Sequence, residues 1–285
     1  MGSLLEVVES ARSARGVALL GVLNTTPDSF SDGGRYQSEA SARARVDELL
    51  EQGADVIDIG SESTRPGALP VAAEEQIARA RPALLHAVSR GAIVSIDTTD
   101  PRVADFALSH GAQLVNDVSC LADDELARVV ARHGATLLLM HSRGSMTEMA
   151  GFSDYAERGY RDVVVDVASE WRAARARALV AGMKAASVWF DPGLGFHKSA
   201  AHSAELLRNF EAFAELGTLL AVGPSNKSFI GALDGAPVHQ RLGGTIAACL
   251  RAVDAGAALL RVHDVQAMRQ ALLARRAFAR QEPAA

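Results

Sequence analysis

The feature that most constrains the fold is one short pattern, repeated at what we expect to be helix-to-strand joints. Each copy opens with Gly-Ala, continues as a short apolar run and ends on polar residues. A glycine suits the left-handed position just after a helix, and so short an apolar run is typical of a strand buried on both faces. The four copies are GADVIDIG (53–60), GAQLVNDVS (111–119), GATLLLMHS (134–142) and GAALLRVHD (256–264).

Four further apolar runs bring the number of predicted strands to eight: GVALLGVLN (16–24), GAIVSIDT (91–98), ASVWFDPG (186–193) and TLLAVGPS (218–225). Stretches with helical period lie between the strands. This alternation predicts an α/β protein built as a single (β/α)8 TIM barrel. An open doubly wound sheet is the rival fold, but the G-x-G-x-x-G turn expected after its first strand does not occur there.

The composition, 48% hydrophobic and 22% charged, indicates an ordinary globular protein with a large apolar core. We expect the barrel at residues 16–280, between an N-terminal extension (1–15) and a C-terminal tail (281–285). A net charge of −5 without a basic face gives no reason to expect nucleic acid as a partner. The chain has neither an apolar run long enough to span a membrane nor a signal peptide, so we expect a cytoplasmic protein. Cys120 and Cys249 are too few for a disulfide framework or a zinc site.

Polar residues follow the predicted strands, at the end of the barrel where active sites of this fold lie. Some of them could serve only to cap the following helices. For Asp58, Asp117 and His141 this structural interpretation and the functional one both stay open. The full set is Asn24, Asp58, Glu62, Asp97, Asn116, Asp117, His141, Asp191, Lys227, Arg261 and His263.

One group within this set is rich in hydrogen-bond acceptors. Asp97, Asn116, Asp191 and Lys227 belong to four different strands and are expected to converge near the barrel axis. Two carboxylates and an amide beside one ammonium suit a flat heterocycle that carries an exocyclic amine, a ring N–H and a ring carbonyl. These four residues therefore predict a site for such a heterocycle.

A second group is rich in cations and donors. Asn24, Arg65, Arg261 and His263 could hold an anion at the barrel mouth, because the planar fork of arginine fits phosphate oxygens. The alternative is a surface ion pair of this group with Glu62 or Asp264.

Seven segments at the predicted strand ends resemble the signature segments of the dihydropteroate synthase family. They occur in the family's order, and the resemblance covers about residues 16–278. The first two lie in long loops, which in a barrel usually contribute to the site. The segments are NTTPDSFSDGG (24–34), GSESTRPG (60–67), SIDT (95–98), NDVS (116–119), DPGLGFHK (191–198), SNKSFIG (225–231) and RVHD (261–264).

The resemblance implies a pterin-binding TIM barrel with a defined reaction. In that reaction, 6-hydroxymethyl-7,8-dihydropterin diphosphate and 4-aminobenzoate give 7,8-dihydropteroate and pyrophosphate in folate biosynthesis. It also implies Mg²⁺ as the cofactor, a cytoplasmic transferase that is a sulfonamide target, and a homodimer as the candidate assembly.

The resemblance also implies a role for individual residues. The pterin positions are Asp97, Asn116, Met140, Asp191, Lys227 and Arg261. The diphosphate positions are Asn24, Arg65, Arg261 and His263, with Asn24 beside the magnesium ion. The aminobenzoate positions are Phe30, Thr64, Pro66, Phe196, Lys227 and Ser228. Catalysis is expected to depend on Asp97, Lys227, Arg65 and His263.

The main departure from the family is Asn226, where the family usually has arginine before the lysine of the Ser-Arg-Lys segment. On an extended chain Asn226 is predicted to point away from Lys227, because successive side chains alternate. We therefore expect an active enzyme. Two other interpretations stay open: a pterin-binding paralogue without catalysis, favoured by Asn226, and a methyltetrahydrofolate-dependent corrinoid methyltransferase. The methyltransferase would share the barrel but would not need the loops for aminobenzoate and diphosphate.

Overall fold

Eight parallel strands form one sheet that curves into a barrel, as predicted. A computed structural model describes residues 2–25, 35–62, 69–144 and 159–279. The sheet order is β6-β5-β4-β3-β2-β1-β8-β7, and a bridge between Phe190 and Leu220 joins β6 to the β7 segment. The strands are β1 Ala18–Asn24, β2 Val56–Gly60, β3 Ile93–Asp97, β4 Leu114–Asp117, β5 Thr136–Met140, β6 Val188–Asp191, β7 Ala221–Val222 and β8 Leu259–Val262.

Helices connect the strands and surround the barrel. None of those in the described residues is long and apolar enough to cross a membrane. Short 3-10 turns lie at Ala185–Ser187, Phe210–Leu216 and Val238–Gln240. The α-helices are α1 Leu4–Arg15, α2 Arg35–Gln52, α3 Ala73–Ser89, α4 Pro101–Ser109, α5 Asp124–Arg132, α6 Val163–Val180, α7 Ala200–Arg208, α8 Ser228–Gly231, α9 Leu242–Asp254 and α10 Val265–Phe278.

The repeated Gly-Ala pattern marks helix ends, as the sequence predicts. Gly53, Gly111, Gly134 and Gly256 all have positive φ, between 62° and 101°. A glycine has no Cβ penalty in this conformation, so it can end the helix and turn the chain into the next strand.

The barrel interior has a lower apolar layer that α1 closes from below. Leu4, Val8 and Ala11 of α1 are buried against the inward-facing residues at the amino ends of the strands. Ser3 and Glu6 form a capping box that starts the helix, and the Leu4 amide donates to Gln113 Oε1 at 3.0 Å. Residues 4–15 therefore act as the floor of the barrel, and the polar chemistry lies at the opposite end.

We expect Val8→Ala to lower the free energy of unfolding by about 2 kcal/mol, because it removes two buried methyl groups and leaves a cavity. Val8 is fully buried, whereas Val180 on α6 is 91% exposed. Urea unfolding of both alanine variants measures the difference. A Val8→Ala loss as small as that of Val180→Ala would show that α1 does not pack on the barrel.

Candidate active site

The side-chain period of a β-strand explains why polar groups gather at one end of the barrel. On five strands an inward-facing apolar residue is followed two positions later by an inward-facing polar one. The lower residue seals the interior and the upper one lines the mouth. The pairs are Val56 and Asp58, Ile93 and Ser95, Leu114 and Asn116, Trp189 and Asp191, and Leu259 and Arg261.

One cleft at this end contains every residue predicted for pterin binding. The empty space inside it, with the adjoining open solvent included, is about 370 Å³. Val118, Leu194, Phe196 and Gly223 complete the lining. The predicted members come from the ends of six successive strands: Asp97, Asn116, Met140, Asp191, Lys227 and Arg261.

The guanidinium of Arg261 lies between two carboxylates from neighbouring strands. Its Nε donates to Asp58 Oδ2 at 2.7 Å and its Nη2 donates to Asp97 Oδ2 at 2.8 Å. Asp58 is fully buried and Asp97 nearly so. Charge-assisted hydrogen bonds of this kind fix the planar group in one orientation. Arg261 is therefore held in place by Asp58 and Asp97 without help from a ligand.

Asp58 also orients Asn116. Asn116 Nδ2 donates to Asp58 Oδ2 at 3.3 Å, and Ser95 Oγ donates to Asp58 Oδ1 at 2.6 Å. Because the amide nitrogen is engaged, the amide oxygen is the acceptor that Asn116 can present to a ligand. The sequence left Asp58 open between a helix cap and a functional residue. Asp58 lies two positions after Val56, whose side chain faces the barrel interior, so the two side chains share a face. This spacing could have identified Asp58 as a residue of the barrel mouth.

Three ionisable groups in the cleft have pKa values that burial shifts strongly. Burial raises the pKa of Asp97 to about 7, although the neighbouring Arg261 opposes this rise. Burial raises the pKa of Asp191 to about 6, although the Gly193 amide donates to its Oδ1 at 2.7 Å. Burial, together with the nearby Arg261, lowers the pKa of Lys227 to about 7. The Lys227 ammonium nitrogen lies 4.0 Å from the centroid of the Phe196 ring. Perturbed groups of this kind in a cleft are typical of functional sites.

Three further predicted residues, Asn24, His263 and Ser228, lie at or just after strand ends of the described chain. Asn24 ends β1 beside Gly60, where a Cβ would come within 3.4 Å of the Asn24 amide oxygen. His263 directly follows β8, and its Nδ1 lies 2.9 Å from Ser225 Oγ. Ser228 begins α8 next to Lys227. Phe30, Thr64, Arg65 and Pro66 lie outside the described residues.

Two acidic candidates have structural roles in the described part of the chain. Asp117 accepts the amides of Ser119 at 2.9 Å and Leu121 at 2.6 Å, so it shapes the loop after β4. Glu62 accepts the Val71 amide at 2.7 Å. The described contacts of Arg261 are with Asp58 and Asp97, so the alternative of an ion pair with Glu62 or Asp264 is not seen there.

The prediction that Asn226 continues an extended chain is wrong. Lys227 N donates to Pro224 O at 3.2 Å, and Asn226 has φ +59°. A tight turn with a left-handed third residue favours Asn or Gly there, because other side chains crowd the backbone. The Asn226 amide donates to Thr245 Oγ1 at 3.1 Å, and its carbonyl accepts from Arg241 Nη1 at 3.1 Å. The backbone conformation thus accounts for asparagine at this position.

Comparisons with known proteins agree with this geometry. The family model described as pterin binding enzyme matches residues 20–263. The dihydropteroate synthase of Synechocystis sp. is 41% identical over 261 residues, which cover 88% of this chain and 86% of that protein. A structure of Xanthomonas albilineans dihydropteroate synthase with 4-aminobenzoic acid is 38% identical with a TM-score of 0.84, over 92% of each chain. Another from that organism, in complex with 7,8-dihydropteroate, is 35% identical with a TM-score of 0.80, over 92% of this chain and 93% of that one.

The barrel, its polar cleft and the family match define a pterin-binding enzyme. Within that class, the chain belongs to the dihydropteroate synthase family.

Asp191 generates a pH-dependence prediction. The N–H donors of a pterin require the ionised carboxylate, and a carboxyl group with a pKa of about 6 gains its proton as the pH falls below that value. The dissociation constant for 6-hydroxymethylpterin should therefore rise by roughly tenfold for each pH unit below 6. Isothermal titration calorimetry between pH 5 and 8 measures this acid limb, which is the rise of the dissociation constant as the pH falls.

Asp191→Asn should bind weakly at pH 8 and lose most of this acid limb. Asp105→Asn, an exposed change on α4, should keep the wild-type profile. The same acid limb in wild type and Asp191→Asn would contradict the assignment of Asp191 to pterin recognition.

Proposed function

We propose that this chain condenses 6-hydroxymethyl-7,8-dihydropterin diphosphate with 4-aminobenzoate to give 7,8-dihydropteroate and pyrophosphate, as a transferase of folate biosynthesis. The observation that carries the proposal is the single cleft that unites all six predicted pterin residues. The family match supports it, as do related structures that contain 4-aminobenzoic acid or 7,8-dihydropteroate.

The cleft suits the hydrogen-bonding edge of a pterin. The Asp191 carboxylate accepts from an exocyclic amine and a ring N–H, and the Asn116 amide oxygen adds an acceptor. Lys227 donates to the ring carbonyl. Met140 packs against the flat ring, and the guanidinium of Arg261, held by Asp58, lies over its face.

The aminobenzoate is expected on the Phe196 side of the cleft. Phe196 is nearly buried in the cleft wall with Val118 and Met140. Ser228 follows Lys227 directly, and the Lys227 ammonium lies 4.0 Å from the centroid of the Phe196 ring, so this ammonium would contact both substrates. Phe30, Thr64 and Pro66 complete this pocket in the proposal, on the strength of the family resemblance. Sulfonamides, which resemble 4-aminobenzoate in shape, would compete there.

The diphosphate and a magnesium ion are assigned to the rim. Asn24, exposed at the end of β1, offers an amide oxygen, a donor type that Mg²⁺ accepts. Magnesium is commonly coordinated by few protein ligands together with phosphate oxygens and water. Asn24 beside a bound diphosphate fits that coordination pattern. When bound, the ion neutralises charge on the departing diphosphate. Arg65, Arg261 and His263 would bind the diphosphate oxygens.

The reaction needs no nucleophile from the protein. The bond from the pterin CH₂ to the diphosphate oxygen breaks, and the electron-rich ring delocalises the positive charge that develops. The aniline nitrogen attacks the CH₂ carbon and loses a proton. The carboxylate of Asp97, on the cleft wall, stabilises the cationic pterin, while Arg65, Arg261 and His263 stabilise the leaving group.

The family resemblance also supports a cytoplasmic location and a homodimeric assembly. Both are part of the proposal.

Turnover tests the function directly. Wild type should release pyrophosphate only when both substrates and Mg²⁺ are present. Asn226→Arg should change kcat by less than about tenfold, or roughly 1.4 kcal/mol in the barrier, because residue 226 contributes its backbone groups to a turn. Asn226→Gly, which also accepts a left-handed φ, is the matched control. An inert wild type whose turnover is restored by arginine would identify a degenerate paralogue.

His263 tests the diphosphate assignment. His263→Ala should weaken binding of the pterin diphosphate by on the order of 10-fold or more, because it removes one donor to a charged group. Binding of plain 6-hydroxymethylpterin should change little, since His263 is outside the pterin cleft. His239→Ala, at a surface turn, is the control. Calorimetry that finds equal losses for the two ligands would reject the assignment.

A further inference from the structure

Lys198 is a fully buried amine that the proposed reaction does not use, and burial lowers its pKa to about 7. It is one of three lysines in the chain, with Lys184 and Lys227. An ammonium carries three N–H donors, and Lys198 has three acceptors within reach. They are His141 Nδ1 at 2.9 Å, Phe196 O at 2.9 Å and His141 O at 3.2 Å. Every donor of this buried charge is therefore satisfied inside the protein.

The imidazole of His141 links Lys198 to a counter-charge. Its Nδ1 accepts from the ammonium, so its Nε2 carries the proton and donates to Glu170 Oε2 at 2.9 Å. Burial, with the adjacent Lys198, lowers the pKa of His141 to about 4, so the ring is neutral. The Arg143 Nε also donates to Glu170, at 2.9 Å. Glu170 thus accepts from both His141 and Arg143, and the His141 ring connects Lys198 to this carboxylate on α6. Asp191 is a second acid whose charge favours the Lys198 ammonium.

The loop that Lys198 holds has an unusual backbone. Between β6 and α7, Gly193, Gly195 and His197 have φ of +66°, +82° and +48°. A left-handed histidine is strained and persists only where its surroundings hold it. Tyr160 Oη donates to the His197 carbonyl at 3.1 Å, and Ser142 Oγ lies 2.9 Å from His197 Nδ1. These two hydrogen bonds therefore hold the loop between β6 and α7 against residues that follow β5 in the chain.

Lys198 donates hydrogen bonds to both of these segments. One acceptor is the carbonyl of His141, on the segment after β5, and another is the carbonyl of Phe196, in the loop itself. The two segments touch so closely that a Cβ on Gly193 would lie 2.0 Å from the His141 carbonyl oxygen. The ammonium thus sets the distance between the β5 end and the residue whose ring faces Lys227.

Asp191 is anchored in a different way. It is the last residue of β6, and its carbonyl accepts the His141 amide at 2.8 Å as part of the sheet. Its carboxylate accepts from the Gly193 amide. Phe196 lies five positions further on, in the loop. Loss of the Lys198 ammonium should therefore displace Phe196 more than Asp191.

We propose that Lys198 is a positioning residue for the aminobenzoate side of the cleft: its ammonium fixes Phe196 against Lys227, while the pterin side depends on Asp191. This inference rests on the proposed function and deepens it. Lys198 does not touch the reacting atoms.

Lys198→Met keeps an unbranched chain and removes all three donors. The KM for 4-aminobenzoate should rise by about tenfold or more, with a smaller change in kcat. The dissociation constant of 6-hydroxymethylpterin, measured by calorimetry, should stay within about threefold of wild type. Lys184→Met, at an exposed position, is the matched control and should leave all three constants unchanged.

Glu170→Gln provides a second variant, because Glu170 is partly exposed and its replacement leaves no cavity. It removes the charged acceptor that holds the His141 ring against Lys198 and should raise the KM for 4-aminobenzoate in the same selective way, by about threefold. If Lys198→Met does not fold, this variant decides. Parallel losses for both substrates, or an unchanged KM for 4-aminobenzoate, would overturn the proposal.

The failure of this proposal differs from the failure of the proposed function. If wild type releases no pyrophosphate from the two substrates, the function itself is wrong. If wild type turns over and the lysine variant keeps its KM for 4-aminobenzoate, only the role of Lys198 is wrong.

Discussion

The site depends on the placement of one half-buried guanidinium between two buried carboxylates. Arg261 could not remain inside the barrel mouth alone, because an uncompensated buried charge costs about 3–5 kcal/mol. Asp58 and Asp97 supply the compensation through bonds of 2.7 and 2.8 Å. Asp58 in turn engages the Asn116 amide, so one carboxylate orients both a cation and an acceptor of the cleft. The pterin residues are therefore ordered before a ligand arrives, which reduces the entropy cost of binding.

Desolvation makes the ion pairs of Arg261 necessary, and it also shifts the pKa values of two groups that face the ligand. Asp191 carries a pKa near 6 because burial disfavours its charge, and a ligand with N–H donors would supply the stabilisation that water no longer gives. Lys227 is perturbed in the opposite direction by burial and by Arg261. A pterin offers both donors and a carbonyl, so its binding relieves both costs. This complementarity explains why an acceptor-rich site can exist in an otherwise apolar barrel.

Residues that do not face the substrates hold those that do. The backbone at Asn226 is left-handed and bonded to Thr245 and Arg241, and this turn presents Lys227. Lys198 bonds the carbonyl that precedes His197, another left-handed residue. The loops after β6 and β7 thus carry backbone conformations that cost energy, and buried hydrogen bonds offset that cost.

The sequence by itself determined the barrel, its strands and the polar residues that line the cleft. Helix ends at the Gly-Ala pairs and short apolar runs are local signals, and the strand-end motifs then place Asp97, Asn116 and Asp191 together. The alternation of side chains along a strand could have separated Asp58 from Asp117, but only the tertiary structure showed their partners. Asp58 faces inward and binds Arg261, while Asp117 accepts amides of its own loop. Such partners come from segments distant along the chain, and their distances depend on how the strands close around the axis.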